Sequence, residues 1–254
     1  MGAEGLVPDD VLAELLAVTE SFVEASRVET ESGNVFDIGP GHSAQTPVLR
    51  RIKMPDDQNE AYWLFAAKTL ANAAADLAGP NVVYHHSKLN FKWSGGGEEV
   101  KWHQDIQFWP HTNYQVLTLG VYLDDVTDDM SPMGIIPNSH NGPLYDLYDE
   151  SGEWTGALND EDIDALDAES AVYLGGPAGS ITAHNCRCVH GSAPNRASKP
   201  RPLLLCAYSA AHAIPITNLT AKGKYAEVIV RGERAKWAQF DPSPVLMPPD
   251  WSKT

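Results

Sequence analysis

The chain has 254 residues, 43% hydrophobic and 20% charged, with 18 basic residues against 34 acidic ones and a formal net charge of −16. This composition supports a folded core and excludes disordered and fibrous classes, and the acid excess argues against nucleic acid or an anionic membrane surface as a partner. No apolar run is long enough for a membrane span, the start lacks the basic and apolar regions of a leader, and Cys186, Cys188 and Cys206 are too few for a disulfide scaffold; a cytoplasmic protein is expected.

One domain over residues 1–254 fits the length. Pro8, Asp9 and Asp10 read as a helix start, and Leu12, Leu15, Leu16, Phe22 and Val23 recur close to helical spacing, which predicts an amphipathic helix over about 9–27. A second helix is predicted after Asp56 and Asp57, with Trp63, Ala67, Leu70, Ala74 and Leu77 on one side and a stop at Gly79 and Pro80. These helices form an N-terminal layer over about 9–79. From Pro80 the period changes: NVVYHHSKLNFKW, QVLTLGVYLDDV, AVYLGG, GSITAHNCRCVHG and RPLLLCAYSAA are β-branched and aromatic, separated by Gly, Pro and Asp. A mainly β core over about 80–215 follows, interrupted by a short helix that Asn159 caps and that turns Ile163 and Leu166 inward. The proline-rich tail after Arg231 is expected to lie extended on the surface.

Within the β core, His103 and Asp105 flank Gln104. On a strand such side chains emerge on one face about 7 Å apart and can converge on a metal. An imidazole plus a carboxylate is the ligand set of a non-haem iron site that needs one more histidine and keeps positions open. His184 and His190 are the candidates, placed by the period-two pattern on one face of a single strand. His190, at the strand end, is taken as the ligand and His184 as a buried structural histidine. Arg201 opens the next strand, which a turn brings back antiparallel beside that of His190, setting a planar cation near the metal to grip a carboxylate. Arg196 falls in the turn, and Arg187 points away.

WHQD, LGVYLDDV, GIIPNSH, HGSAPN and Arg201, in this order and spacing, resemble the phytanoyl-CoA dioxygenase family over about residues 80–212. The resemblance implies a double-stranded β-helix, or jelly roll. It also implies an Fe(II)- and 2-oxoglutarate-dependent oxygenase that consumes O2, with His103, Asp105 and His190 as metal ligands and Arg201 on the distal carboxylate of 2-oxoglutarate. Ser192 joins the co-substrate set. Where the family has Asn-Gly before the PxSH turn, this chain has Met130 and Ser131, and Thr118 and Lys101 are expected to replace the lost co-substrate contact or else to line the barrel. A carboxylate at Asp105, where related halogenases carry a small residue, implies hydroxylation with release of succinate and carbon dioxide; desaturation, epoxidation and ring formation share the chemistry.

Two other readings compete. His184, Cys186, Cys188 and His190 crowd zinc-type ligands into seven residues, although along one strand they span about 20 Å. A silent barrel would instead stack a sugar or other small ligand on Trp93, Trp102, Trp109 or Trp154. Trp109, His111 and Asn113, in the loop after the His-x-Asp pair, are expected to roof the metal and touch the primary substrate; packing of a proline-anchored loop is the alternative. The glycine run at 95–97 has no Lys-Ser/Thr continuation and is no phosphate cradle; it reads as a flexible entrance. The net charge disfavours a large anionic thioester unless Lys88, Lys92 and Lys101 form a local basic patch, so a small metabolite or natural-product intermediate is the expected substrate.

Overall fold

The structure, a computed structural model, describes residues 1–93, 99–217 and 223–250; the glycine run at 95–97 lies outside them. Two antiparallel sheets form the body. The larger has the strand order β1 (Gly2–Ala3), β9 (Ile181–Asn185), β6 (Val116–Tyr122), β11 (Leu203–Ala210), β4 (Val82–Asn90), β3 (Leu49–Lys53), β2 (Phe36–Ile38), with β12 (Ile229–Arg231) also paired to β4. The smaller runs β5 (Val100–His103), β10 (His190–Ser192), β7 (Met133–Ile135), β8 (Val172–Leu174). The mainly β jelly-roll expectation holds, and among the described residues the sheets do not close into a barrel.

Period-two alternation gives the larger sheet two unlike faces. Ile52, Tyr84, Leu89, Leu119, Val121, Leu204 and Tyr208 point to one side, where they form the main core with Leu15, Tyr62, Phe65, Leu70 and Ala74 of the helices. The opposite side carries Arg51, Lys88, Thr118 and His184. Burying a large apolar side chain contributes about 1.5–3 kcal/mol, so the helical layer holds the sheet while leaving its polar face for other work.

Helix α1 (Asp9–Ser26) matches the expected span, and Thr19 shares a 2.7 Å hydrogen bond with the Tyr62 hydroxyl, which burial pushes up to about 12. The second predicted helix is broken into α2 (Pro55–Gln58), α3 (Glu60–Leu64) and α4 (Ala71–Ala78), with a π turn over Phe65–Leu70 joining the last two. That wider turn rotates the apolar stripe. Tyr62, Phe65, Ala66 and Ala71 are buried beside the expected Leu70 and Ala74, whereas Trp63 and Ala67 are half-buried and Leu77 is exposed. Side chains cap the turn's carbonyls: the Tyr208 hydroxyl donates to Ala66 O at 2.9 Å, and Arg231 donates to Ala67 O and Lys68 O. The N-terminal layer is not purely helical either, since β2 and β3 extend the larger sheet.

The expected single strand through His184 and His190 is two strands in different sheets. β9 ends at Asn185, whose side-chain oxygen accepts from Arg187 N at 3.0 Å in a turn, and the chain crosses to β10. Likewise, β11 pairs with β4 and β6, not with the strand of His190 as expected. Helix α5 (Asp160–Ala165) is capped by Asn159, which accepts from Asp162 N at 2.8 Å, and Ile163 and Leu166 pack inward. The tail is extended as expected and is tied down by Gln239 N to His212 O and Asp241 N to Thr112 O. No helix among the described residues is long and apolar enough to cross a membrane.

Candidate active site

β5 and β10 are neighbours in the smaller sheet, and His103 stands directly opposite His190. Asp105 follows on the 3-10 turn at Asp105–Gln107. The Nε2 atoms of His103 and His190 each lie 3.8 Å from Asp105 Oδ1, and the three potential ligand atoms lie within 4.8 Å of one another. Each imidazole is aimed by its other nitrogen: His103 Nδ1–H donates to Lys101 O at 2.8 Å, and His190 Nδ1–H donates to Cys188 O at 2.9 Å. Fixing the proton on Nδ1 leaves both Nε2 lone pairs facing the carboxylate, as a metal requires. Burial lowers both histidines, His190 to well below the ordinary histidine value, which keeps the rings neutral. The donor set fits a divalent iron with open positions.

The other carboxylate oxygen is held from the larger sheet. Thr118 Oγ1–H donates to Asp105 Oδ2 at 3.0 Å and His184 Nε2–H at 3.2 Å, while the His184 and His190 rings lie 4.3 Å apart. Burial alone would push the Asp105 carboxyl up, but the adjoining imidazoles and the His184 hydrogen bond hold it well below the ordinary carboxylate range. His184 is the buried structural histidine of the sequence reading, with a definite partner. Thr118, expected on the co-substrate or else lining the barrel, donates to Asp105.

Arg201 is buried at 3% exposure, and Asn90 stands across from Leu203, two residues on. Its Nη1 donates to Ser131 O, whereas Nε has no partner, so a cation with an unused donor sits inside the jelly roll. Ser131 therefore contributes a backbone carbonyl where the family pattern has Asn-Gly. Ser192 is buried; its carbonyl and that of Ala193 accept from Lys92 Nζ, an amine that burial and then Arg201 pull down to about 7. Arg196 is exposed, and Arg187 lies over the Tyr114 ring at 4.5 Å and donates to Gly142 O, so neither competes with Arg201.

A cavity of about 810 Å3 opens on the metal cluster, lined by His103 and Asp105 and by Arg51, His86, Lys88 and Trp109 among others. Lys101 lines it too, as an exposed side chain at the rim. Of the three loop residues expected on the substrate, Trp109 is in this wall. His111 and Asn113 are not. His111 Nδ1–H is turned onto Trp109 O at 2.7 Å, and Asn113 donates to Gln239 O at 3.0 Å, fastening the tail. The loop is thus partly cavity wall and partly packing. The sequence alone does not single out His86 and Arg51, which line the cavity. A readable sign was the alternation that places His86, Lys88 and Asn90 on one side of β4; the short β3 gave none.

The zinc reading fails on packing. Cys186 lies with Ile106 and Val116 while Cys188 lies with Met133 and Ile135, and burial raises both thiols. Among the described residues, His103, Asp105 and His190 are the group that can gather around a metal. The stacking reading loses three of its four tryptophans: Trp93 donates to Leu49 O, Trp102 is in an apolar cluster, and Trp154 stands edge-on to Phe108 and Tyr148.

Two imidazoles and one carboxylate on a jelly roll, opening on a cavity and backed by a buried arginine, define the class of non-haem iron(II), 2-oxoglutarate-dependent oxygenases. The family profile described as phytanoyl-CoA dioxygenase (PhyH) matches residues 1–203. The chain is 35% identical over 230 residues to the probable alpha-ketoglutarate-dependent hypophosphite dioxygenase of Stutzerimonas stutzeri, covering 89% of this chain and 80% of that one. It is 26% identical over 215 residues to an ectoine dioxygenase of Sphingopyxis alaskensis, covering 79% and 65% respectively. In fold it is similar to the iron-bound crystal structure of EctD from S. alaskensis, with a TM-score of 0.72 at 22% identity over 92% of this chain and 83% of that one. The chain belongs to the phytanoyl-CoA dioxygenase family and is an iron(II)- and 2-oxoglutarate-dependent dioxygenase.

Proposed function

We propose that this single-domain protein oxygenates a small metabolite in the cytoplasm, coupling R–H + 2-oxoglutarate + O2 to R–OH + succinate + CO2. His103, Asp105 and His190 would hold the iron, which supplies the oxidising chemistry when bound. The observation that carries this reading is the pair of 3.8 Å approaches of two pre-aimed Nε2 atoms to one oxygen of Asp105. Arg201, with its unused Nε, would take the distal carboxylate of 2-oxoglutarate, and Ser192 would be a further co-substrate contact. Trp109 and the cavity wall would position the substrate and exclude water. The bond oxidised is C–H or, by analogy with the hypophosphite dioxygenase relative, P–H.

Succinate formation from 2-oxoglutarate tests the reading. Iron-loaded wild-type protein is expected to release succinate slowly without substrate and faster with it, while His103→Ala and His190→Ala lose the activity together with iron binding. Iron-loaded protein that never turns over 2-oxoglutarate across a broad panel of small substrates would sink the proposal.

A further inference from the structure

The cavity wall is basic in a strongly acidic protein. β3 and β4 pair so that Lys53 stands opposite Lys88 and Arg51 opposite Asn90, which sets three cations on adjoining positions of the inner face. Like charges directly opposite one another destabilise a sheet, and the wall offers little to neutralise them. Apart from the metal-cluster Asp105, Glu99 is the acid lining the cavity among the described residues. The Lys53 ammonium turns aside to Gly33 O at 2.9 Å. Asp37, across β2 from Arg51, accepts from Ser32 and faces Arg50 at 4.0 Å. Arg51 and Lys88 therefore project toward the cavity without a carboxylate at ion-pair distance among the described residues.

Lys88 is the inner of the two. It is half-buried with its Nζ 5.4 Å from the centre of the Trp109 ring, and its field reaches both His103 and Asp105. Burial and Arg51 both disfavour its charge, with Asp105 opposing them. An ammonium kept there against burial and like charge is the arrangement of a receptor awaiting an anion. Under the oxygenase reading the co-substrate takes Arg201, which is not among the residues lining this cavity.

We propose that the primary substrate is a small oxoanion, a carboxylate or a phosphorus oxyanion, whose charged group is held between Lys88 and Arg51 with its oxidisable bond directed at His103 and Asp105. This rests on the oxygenase reading of the metal cluster. Trp109 closes the side of the site behind Lys88, and Arg51, exposed at the rim, draws the anion in.

The test is titration calorimetry of hypophosphite and, separately, acetate into protein saturated with iron(II) and 2-oxoglutarate in the absence of oxygen. Lys88→Met is expected to weaken binding of the preferred anion about tenfold or more, as loss of a charge-assisted hydrogen bond does. Arg51→Gln should weaken it by roughly threefold or more and Lys88→Arg by less than Lys88→Met. The affinity for 2-oxoglutarate should be unchanged in all three, and circular dichroism checks that each variant folds. A preference for hypophosphite or for acetate identifies the phosphorus or the carboxylate source. Wild-type affinity in Lys88→Met, or a loss of 2-oxoglutarate binding instead, overturns the proposal, as does failure of wild type to bind either anion. Absence of iron-dependent succinate formation would fail the oxygenase reading separately, since anion binding is read as heat and not as turnover.

Discussion

Thr118 and His184 share one oxygen of Asp105, leaving the other to face the two ligand histidines. Such outer partners orient a ligand carboxylate, and their loss weakens metal affinity about 10- to 100-fold. Thr118→Val, which keeps the shape and removes the donor, is expected to weaken iron(II) or cobalt(II) binding by at least about tenfold while thermal unfolding shifts little; unchanged metal affinity would show that His184 alone suffices. At this scale the gathering of His103, Asp105 and His190 was legible because a motif fixes their order along the chain. The contact of Thr118 with Asp105 and the place of Arg51 in the cavity wall were not, because both depend on which face of a strand meets which cavity. His111 and Asn113 look like site residues in sequence, yet His111 pairs with Pro215 and Asn113 fastens the tail at Gln239.

At the scale of elements, the cluster depends on how closely β5 and β10 approach. A Cβ on Gly191 would stand 2.8 Å from Val100 O and 3.2 Å from the Trp102 ring, so any larger residue must push apart the strands that carry His103 and His190. Gly191→Ala is expected to cost about 1–3 kcal/mol of stability and to weaken metal binding with it, measured by thermal unfolding and metal titration on one sample. The helices and most strands were legible from periodicity. The crossing from β9 to β10 was not, because CRCVH continues an alternating pattern through a turn that Asn185 makes with its own side chain. The π turn was hidden for a related reason: one extra residue per turn shifts a stripe without altering composition.

For the molecule as a whole, the buried His111 and the half-buried His86 are expected to shape the response to acid. Burial holds His111 down to about 4 and His86 down to about 3, against an ordinary value of 6.5. Between these values and 6.5 the unfolded chain binds protons that the folded one does not, so stability is fully present above pH 6.5 and is lost as the pH falls below it. At pH 5 His111 alone costs about 2 kcal/mol, a large share of the roughly 5–15 kcal/mol that holds a domain together. Thermal unfolding is expected to show a steep loss between pH 6.5 and 5, and His111→Phe should flatten it; an unaltered slope would assign the acid sensitivity to other groups.

The thiols of Cys186 and Cys188 flank the metal cluster in apolar packing, and burial keeps them protonated. Peroxide attacks the thiolate and not the thiol. Both sulfurs are therefore expected to resist oxidation while the fold is closed and to yield to it once unfolding lets water in.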